Sequence, residues 1–216
     1  MEMTGWQVQG FNSSVIIPMA AFSLEEIPAV PGLYAYYISF LSRRSLGLFH
    51  GSVASKSDIS NAKLILARKF KQFLALRKER RYEGSVRDAQ RYTHISPSYN
   101  VWLEEDFAAA PIDALLAMDD ATFLSAVDVM ESTLLLQSPV YVGIAIDQTL
   151  RDRCQQHRSD FYKGAGNSGF GSRLKKFGFE WADLVFVASP SRAYGNELRE
   201  VEKAVQLLIN PILGLR

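Results

Sequence analysis

The sequence predicts a mixed α/β fold in which a small sheet is flanked by helices. Three short apolar segments, at 33–40, 140–144 and 184–188, are rich in aromatic and β-branched residues and have the length of strands. Longer segments between them carry apolar side chains at the spacing of amphipathic helices. At 216 residues, 48% apolar and 22% charged, the chain can bury a core without disulfides or structural metals.

The N-terminal part of the chain supplies the first strand. Residues 1–30 are predicted as a mixed lead-in with an extended end, because Pro28 and Pro31 disfavour a helix there. The strand at 33–40 follows, and residues 46–49 (LGLF) are predicted as a further strand.

The middle of the chain is predicted to be helical, apart from 83–98, where weak periodicity indicates irregular structure or a short helix. The predicted helices are one capped by Asp58 or Ser60, a short one at 112–118 that follows Pro111, and one at 121–136 that is entered through Asp119 and Asp120. The first of them carries apolar side chains at helical spacing: Ile59, Ala62, Leu66, Phe70 and Phe73.

The C-terminal part alternates strands and helices. Helices are predicted at 149–162, capped by Asp147, at 172–177 and at 196–209. The glycine-rich stretch 163–169 lacks the lysine pattern of a nucleotide-binding loop, so it is either a loop that touches DNA or a plain surface loop.

Charge is distributed in two blocks although the net charge is only +1. Between residues 63 and 91 ten Lys and Arg stand against three acids, and between 101 and 131 there are eight acids and no Lys or Arg. Either the two blocks face each other or lie on solvated helix faces, or the basic block meets a phosphate backbone.

Two features indicate the compartment. The single cysteine, Cys154, excludes an intramolecular disulfide and a cysteine-rich zinc site. The N-terminus shows no signal peptide, and no apolar stretch reaches the roughly 20 residues that span a bilayer. We therefore expect a soluble, cytoplasmic protein.

Four short pieces follow one another along the chain. Pro31-Gly32-Leu33-Tyr34 lies on the first strand and Val140-Tyr141-Val142-Gly143 on a later one. Arg153 and His157, four residues apart, share a face of the next helix. Glu202 lies on the last helix, nine residues before Pro211. This order resembles the GIY-YIG endonuclease superfamily, over about residues 30–40 and 138–214.

The resemblance implies a small, mainly antiparallel three-stranded sheet flanked by helices, and a metal-dependent DNA endonuclease. The implied catalytic residues are Tyr34, Tyr141, Arg153, His157 and Glu202. Glu202 would hold one Mg²⁺, and Arg153 would contact the scissile phosphate through its planar fork. The two tyrosines and His157 would cluster around the attacking water.

Tyr34 is the expected general base and Tyr141 a positioning group; Tyr36, on the same strand face, is a second candidate for the base. A free tyrosine has a pKa of about 10 and is ionised at roughly one part in a thousand at neutral pH. The site must therefore lower that pKa through Arg153 and the metal, or pass the proton to His157.

Two departures from the family pattern stand out. Gly214 occupies the position of an asparagine that follows the terminal proline in the commonest members, and 107 positions separate Tyr34 from Tyr141. The predicted nuclease domain is therefore discontinuous. It comprises 31–54 and 136–216, with a helical insertion at 55–135. In a competing alignment, residues 48–52 are the hairpin partner of the first strand or a degraded form of the second motif.

The expected partner is DNA, and a cut through both strands would need a homodimer or two successive nicks. Candidate DNA-binding residues are Lys69, Arg77, Lys78, Arg80, Arg81, Arg173, Lys175 and Lys176. A compact chain without a separate DNA-binding domain is similar to restriction or defence nucleases. The alternatives are a nucleic-acid-binding protein without activity, and a protein-interaction module that uses the acidic block.

Overall fold

The computed structural model describes residues 14–20, 23–39, 41–48, 53–78, 81–87, 98–104, 110–163, 169–191 and 196–213, with only the backbone described at 81–87, 98–104 and 196. The strands are β1 (Val15–Pro18), β2 (Gly32–Ile38), β3 (Arg81–Arg87), β4 (Ser98–Glu104), β5 (Tyr141–Ala145) and β6 (Leu184–Pro190). The helices are α1 (Lys56–Lys78), α2 (Ala110–Ala117), α3 (Asp120–Ser132), α4 (Leu150–Lys163), α5 (Phe170–Lys176) and α6 (Asn196–Ile209). In these ranges no helix is both long and apolar enough to cross a membrane.

The main sheet has four antiparallel strands in the order β1-β6-β2-β5, so the fold is mixed α/β as predicted, with one strand more than expected. The additional strand, β1, comes from the lead-in and pairs Ile17 with Phe186. A strand of four residues that ends in a proline suits a sheet edge, where one side of the backbone needs no partner. Central β2 buries alternate side chains, including Tyr34, Tyr36 and Ile38.

The strand predicted at 46–49 is wrong where the structure describes it. Residues Arg44–Leu46 form a 3-10 turn that ends at Gly47, whose φ of 78° lies in the left-handed region that favours glycine. That conformation breaks an extended backbone. Leu46 and Leu48 are instead buried in an apolar cluster with α1 and α3.

The buried side chains form two clusters. The larger, called the sheet core, packs strands β1, β2 and β6 against α4 and α5 and includes Tyr36, Trp181 and Phe186. The smaller, called the insertion core, lies between the Arg44–Leu46 turn, α1 and α3. Its buried members are Leu46, Leu48, Ile59, Ala62, Leu66, Phe123 and Val127.

Residues 55–135, which were predicted as a helical insertion, also contain two strands where the structure describes them. Strands β3 and β4 form a second, two-stranded antiparallel sheet, in which Gly84 lies opposite Val101. In the sequence SYNVWLE of β4 every second residue is apolar, and the positions between them are polar except for Trp102, which is close to the period-2 pattern of a strand. The sequence RYEGSVR of β3 likewise has a charged or hydroxyl side chain at every second position.

Short polar motifs set the helix starts. Asp119 caps α3 as predicted, accepting hydrogen bonds from the backbone N–H groups of Ala121 and Thr122. The start of α1 is instead closed by reciprocal bonds between Ser55 and Asp58. The start of α4 is closed by the same exchange, with Thr149 and Asp152 in place of the predicted Asp147.

The two charge blocks meet within the insertion. Lys63 lies 3.7 Å from Asp120 and donates a hydrogen bond to the Met118 carbonyl. The acidic block is also paired from outside the basic block, since Arg43 binds Asp128 in a bidentate manner at 2.5 and 2.8 Å. Part of the acidic block is thus neutralised within the chain.

Candidate active site

The pairing of β2 with β5 brings the two tyrosine motifs side by side. Tyr34 lies opposite Gly143, and Tyr36 lies opposite Tyr141. A Cβ atom at Gly143 would stand 2.5 Å from the Tyr34 hydroxyl and 3.0 Å from the Tyr141 ring. Only glycine therefore leaves room for the Tyr34 hydroxyl over this strand, which is a physical reason for a glycine after Tyr141-Val142.

Helix α4 places two polar side chains on the Tyr34 hydroxyl. His157 Nε2 lies 2.7 Å from Tyr34 Oη, and Arg153 Nε donates to the same oxygen at 3.2 Å. Because the guanidinium can only donate, the tyrosine oxygen accepts from Arg153, and its O–H is available to donate to His157. Arg153 and His157 are one helical turn apart, so both reach one atom.

Burial keeps the Tyr34–His157 pair neutral. The pKa of His157 is lowered to about 3, mainly by burial and further by Arg153, so its imidazole is neutral at physiological pH and can accept a hydrogen bond from Tyr34. The pKa of Tyr34 is raised well above its ordinary value by burial and then by Tyr141, while Arg153 opposes the shift. In the protein alone, burial therefore outweighs the lowering expected from Arg153.

The side chains of the site differ in solvent exposure. Tyr34 and His157 are 2% and 6% exposed, whereas Tyr141, Arg153 and Glu202 are half-buried. The Tyr141 ring centroid lies 6.1 Å from that of Tyr34 and 5.5 Å from that of His157. Tyr141, Arg153 and Glu202 are thus the members of this group that lie nearer to solvent.

Glu202 approaches the same site from α6, which packs against β5. Its pKa is raised by burial, and the positive charge of Arg153 acts in the opposite direction. Gln206 Nε2 donates to Glu202 Oε1 at 3.0 Å. The structure thus brings all five predicted residues, from β2, β5, α4 and α6, into one neighbourhood.

The carboxylate that this site offers to a cation is that of Glu202. Among the residues that the structure describes, no group of three or more His, Cys, Asp or Glu side chains is gathered for a metal. Mg²⁺ commonly keeps several waters and takes one or two carboxylates together with phosphate oxygens. The half-buried Glu202 carboxylate beside Arg153 is compatible with that pattern.

Tyr36, the second candidate for the base, lies deeper than Tyr34. It is on the same strand face, with ring centroids 5.9 Å apart, but its side chain is 0% exposed. Its pKa is raised by burial and by the neighbouring thiol of Cys154. Packed against Phe170 and Trp181, it belongs to the sheet core rather than to a solvent-facing site.

Three glutamines at the site were missed by the sequence reasoning. Gln156 Oε1 accepts from Arg153 Nη1 at 2.9 Å and is itself bonded to Gln148. Gln206 holds Glu202. The signal was present in the spacing, because Gln156 and Gln206 lie three and four residues after Arg153 and Glu202 on their helices.

One predicted DNA-binding residue is corrected. Lys69 is 9% exposed, and its ammonium pairs with the buried carboxylate of Asp183, so it is not on the surface. The buried positions of α1 explain this, because Lys69 falls among them at helical spacing. They are Ile59, Ala62, Leu66, Lys69 and Leu76.

The opposite stripe of α1 carries exposed cations that the prediction omitted. Arg68, Lys71 and the predicted Lys78 are all exposed, at the spacing of one helix face. Arg77 is half-buried, the side chain of Arg81 on β3 is not described, and Arg80 lies outside the described residues.

The predicted cations of α5 divide into two kinds. Arg173 is half-buried and donates to the Leu213 carbonyl at 2.7 Å. Lys175 and Lys176 are exposed, with the Lys176 ammonium 5.4 Å from the Phe177 ring centre. Most of the glycine-rich stretch before α5, at 164–168, lies outside the described residues.

Comparison with protein-family models, curated proteins and solved structures finds no match to this chain.

Proposed function

We propose that the protein is a metal-dependent endonuclease of the GIY-YIG type that hydrolyses phosphodiester bonds in DNA. The observation that carries the proposal is the shared Tyr34 hydroxyl, bonded to both Arg153 and a neutral His157 beside Tyr141 and Glu202. Four elements contribute to this cluster, and each side chain has a use in phosphodiester hydrolysis. A cut through both strands would engage two copies of the chain or two successive nicks.

Proton transfer in this proposal runs through Tyr34 to His157. The attacking water gives a proton to Tyr34 Oη while the tyrosine proton moves to His157 Nε2, which leaves a hydroxide and an imidazolium. Tyr34 then carries no net charge, so the step avoids a buried phenolate, whose formation burial disfavours. Burial and Arg153 also disfavour the imidazolium of His157, so the step requires the negative charge of the bound phosphate nearby. Tyr141, nearer to solvent, orients the water.

In this proposal Arg153 and Glu202 help to neutralise the negative charge of the phosphate. Arg153 has five N–H donors, and its bonds to Tyr34 and Gln156 leave donors for a phosphoryl oxygen. Glu202 is the residue that would hold Mg²⁺, which when bound supplies charge neutralisation at the phosphoryl oxygens. The Arg153 cation and the Glu202 carboxylate lie close enough to influence each other.

Exposed cations outside the site are suited to the DNA backbone. Arg68, Lys71 and Lys78 follow one face of α1, and no acidic residue follows Asp58 within that helix. Lys175 and Lys176 add charge on α5. Such contacts provide salt-dependent affinity through counterion release rather than sequence recognition. A role in restriction or defence is an analogy at the level of the fold.

The test is plasmid cleavage with Mg²⁺, by wild type and by Glu202→Gln. We expect wild type to give nicked or linear plasmid, with activity removed by EDTA and lost in Glu202→Gln. Glu200→Gln is the matched control, because Glu200 lies on the same helix but is exposed and paired with Lys203. It should cut like wild type.

Other outcomes would overturn the proposal. If wild type cuts neither duplex nor single-stranded substrates, yet binds DNA at low salt, the protein is a nucleic-acid-binding module; the deep burial of Tyr34 favours this as the second candidate. If the protein does not bind DNA either, the remaining candidate function is that of a protein-interaction module.

A further inference from the structure

We infer that Gln206 is a positioning residue for Glu202, whose side-chain amide holds one oxygen of the carboxylate and ties it to the edge of β5. The inference rests on the proposed function, because it takes Glu202 as the ligand of a divalent cation. It adds a residue that none of the four sequence motifs contains.

The contacts of Gln206 define the orientation of its amide. Nε2 lies 3.0 Å from Glu202 Oε1 and 3.4 Å from the Val142 carbonyl oxygen, the second bond being the longer and weaker. Both neighbours are acceptors, and only the NH₂ end of a glutamine can donate to them. Its two hydrogens therefore suffice for one bond to each.

The two hydrogen bonds of Gln206 connect Glu202 to strand β5 at the site itself. β5 is an edge strand of the main sheet, so its outer carbonyls receive hydrogen bonds from the C-terminal part of the chain rather than from another strand. The Leu213 N–H donates to Val140 at 2.8 Å, and Gln206 reaches Val142 two residues further on. Val142 stands between Tyr141 and Gly143, so Gln206 connects Glu202 to the strand that carries Tyr141.

A held carboxylate binds a cation better than a free one. The bond to Oε1 restricts the rotation of the Glu202 carboxylate and so sets the direction in which the other oxygen, Oε2, points. Residues that orient a metal ligand through hydrogen bonds typically change metal affinity or activity by about 10- to 100-fold when they are replaced. A surface pair of glutamine and glutamate would give no such effect, because water would replace the lost bond.

The test is Mn²⁺ binding to the full chain, followed by electron paramagnetic resonance, for wild type and Gln206→Met. Methionine keeps the length of the side chain and removes the donor. We expect Gln206→Met to bind Mn²⁺ about tenfold more weakly. The Mg²⁺ concentration for half-maximal cleavage should rise similarly, with the rate restored at saturating Mg²⁺, which a general loss of structure would not allow.

The matched control is Gln137→Met. Gln137 is also half-buried, and its Nε2 donates to the Ile38 carbonyl at 2.9 Å, at the end of β2. This variant loses a hydrogen bond of the same kind away from Glu202 and should bind Mn²⁺ like wild type. Gln206→Asn, which keeps the amide but is one methylene shorter, replaces Gln206→Met if that variant does not fold, with the same expected loss.

The outcomes separate this inference from the proposed function. Equal Mn²⁺ affinities in wild type and Gln206→Met overturn the positioning role, as does a wild type that binds no Mn²⁺. A wild type that binds Mn²⁺ without cutting DNA overturns the nuclease proposal, and Gln206 is then judged by the Mn²⁺ affinities alone. A wild type that cuts, with equal affinities in both proteins, overturns the Gln206 inference only.

Discussion

Two regions of the molecule bury polar side chains in different ways. At the candidate active site, Tyr34 and His157, 2% and 6% exposed, form a hydrogen bond between neutral groups. Where α1 meets the turn before β6, Lys69 and Asp183, 9% and 4% exposed, form an ion pair. Both regions belong to the interior, where an unpaired polar group is costly.

The two buried pairs differ in charge, and this difference suits them to different roles. In the neutral pair burial disfavours both charged forms, so both groups stay neutral, and Tyr34 passes its proton to His157 only as it takes one from the water. In the ion pair each charge offsets the other, and Asp183 also accepts the Glu180 N–H at 3.0 Å. The first pair is suited to proton transfer and the second to holding α1 against the sheet.

The largest expected effect is on activity and tests the neutral pair. Tyr34→Phe removes the hydroxyl shared by Arg153 and His157 and keeps the ring. We expect the cleavage rate to fall by about 100- to 10,000-fold, the usual contribution of a general base, with the fold retained. Single-turnover cleavage and circular dichroism measure the two quantities. A variant that cuts at the wild-type rate would show that Tyr34 only packs.

The next effect is on stability and tests the ion pair. Lys69→Met leaves the Asp183 carboxylate buried without its cation, and we expect the free energy of unfolding to fall by about 3–5 kcal/mol. The double variant Lys69→Met with Asp183→Asn should recover most of this loss, because asparagine is neutral and still accepts from Glu180. Urea denaturation measures all three proteins. Equal stabilities of the single and double variants would contradict the account.

The smallest effect is a pH dependence that belongs to His157 alone. Its pKa is 6.5 in the unfolded chain and about 3 in the folded protein, so below pH 6.5 the unfolded chain takes up a proton that the folded protein refuses. Wild type should therefore lose up to about 1.4 kcal/mol of stability per pH unit, relative to His157→Gln, as the pH falls from about 6.5 to about 4.5.

Denaturation of both proteins between pH 7 and pH 4.5 tests this slope. Carboxylates elsewhere titrate in both proteins and cancel in the difference. Parallel stability curves over this range would mean that His157 takes up a proton as readily in the folded protein as in the unfolded chain. Burial would then not keep His157 neutral.

Local patterns predicted the elements that carry the site. A helix was predicted at 196–209, before Asn210-Pro211, and the structure has one there. Asp119 caps α3 because its carboxylate accepts hydrogen bonds from the free N–H groups of the first turn. Strands β2 and β5 were predicted within two residues of their ends. These features depend on neighbours in the chain, so the sequence displays them.

Other features depend on residues far away in the chain. The edge strand β1 has only four residues, and its pairing with β6 joins positions more than 160 residues apart. The role of Lys69 was misjudged because its partner Asp183 lies 114 positions away. Lys69 does, however, fall at the helical spacing of the apolar positions of α1, and this spacing could have predicted that it is buried.

The sequence by itself determined the candidate residues, because Tyr34, Tyr141, Arg153, His157 and Glu202 stand in the short motifs that carry its resemblance to the GIY-YIG superfamily. Only the tertiary structure decided their states. The neutrality of His157, the raised pKa of Tyr34 and the bond from Gln206 to Glu202 arise from burial and from contacts between separate elements. Desolvation is a property of the packed protein, since it depends on how much water the other elements exclude.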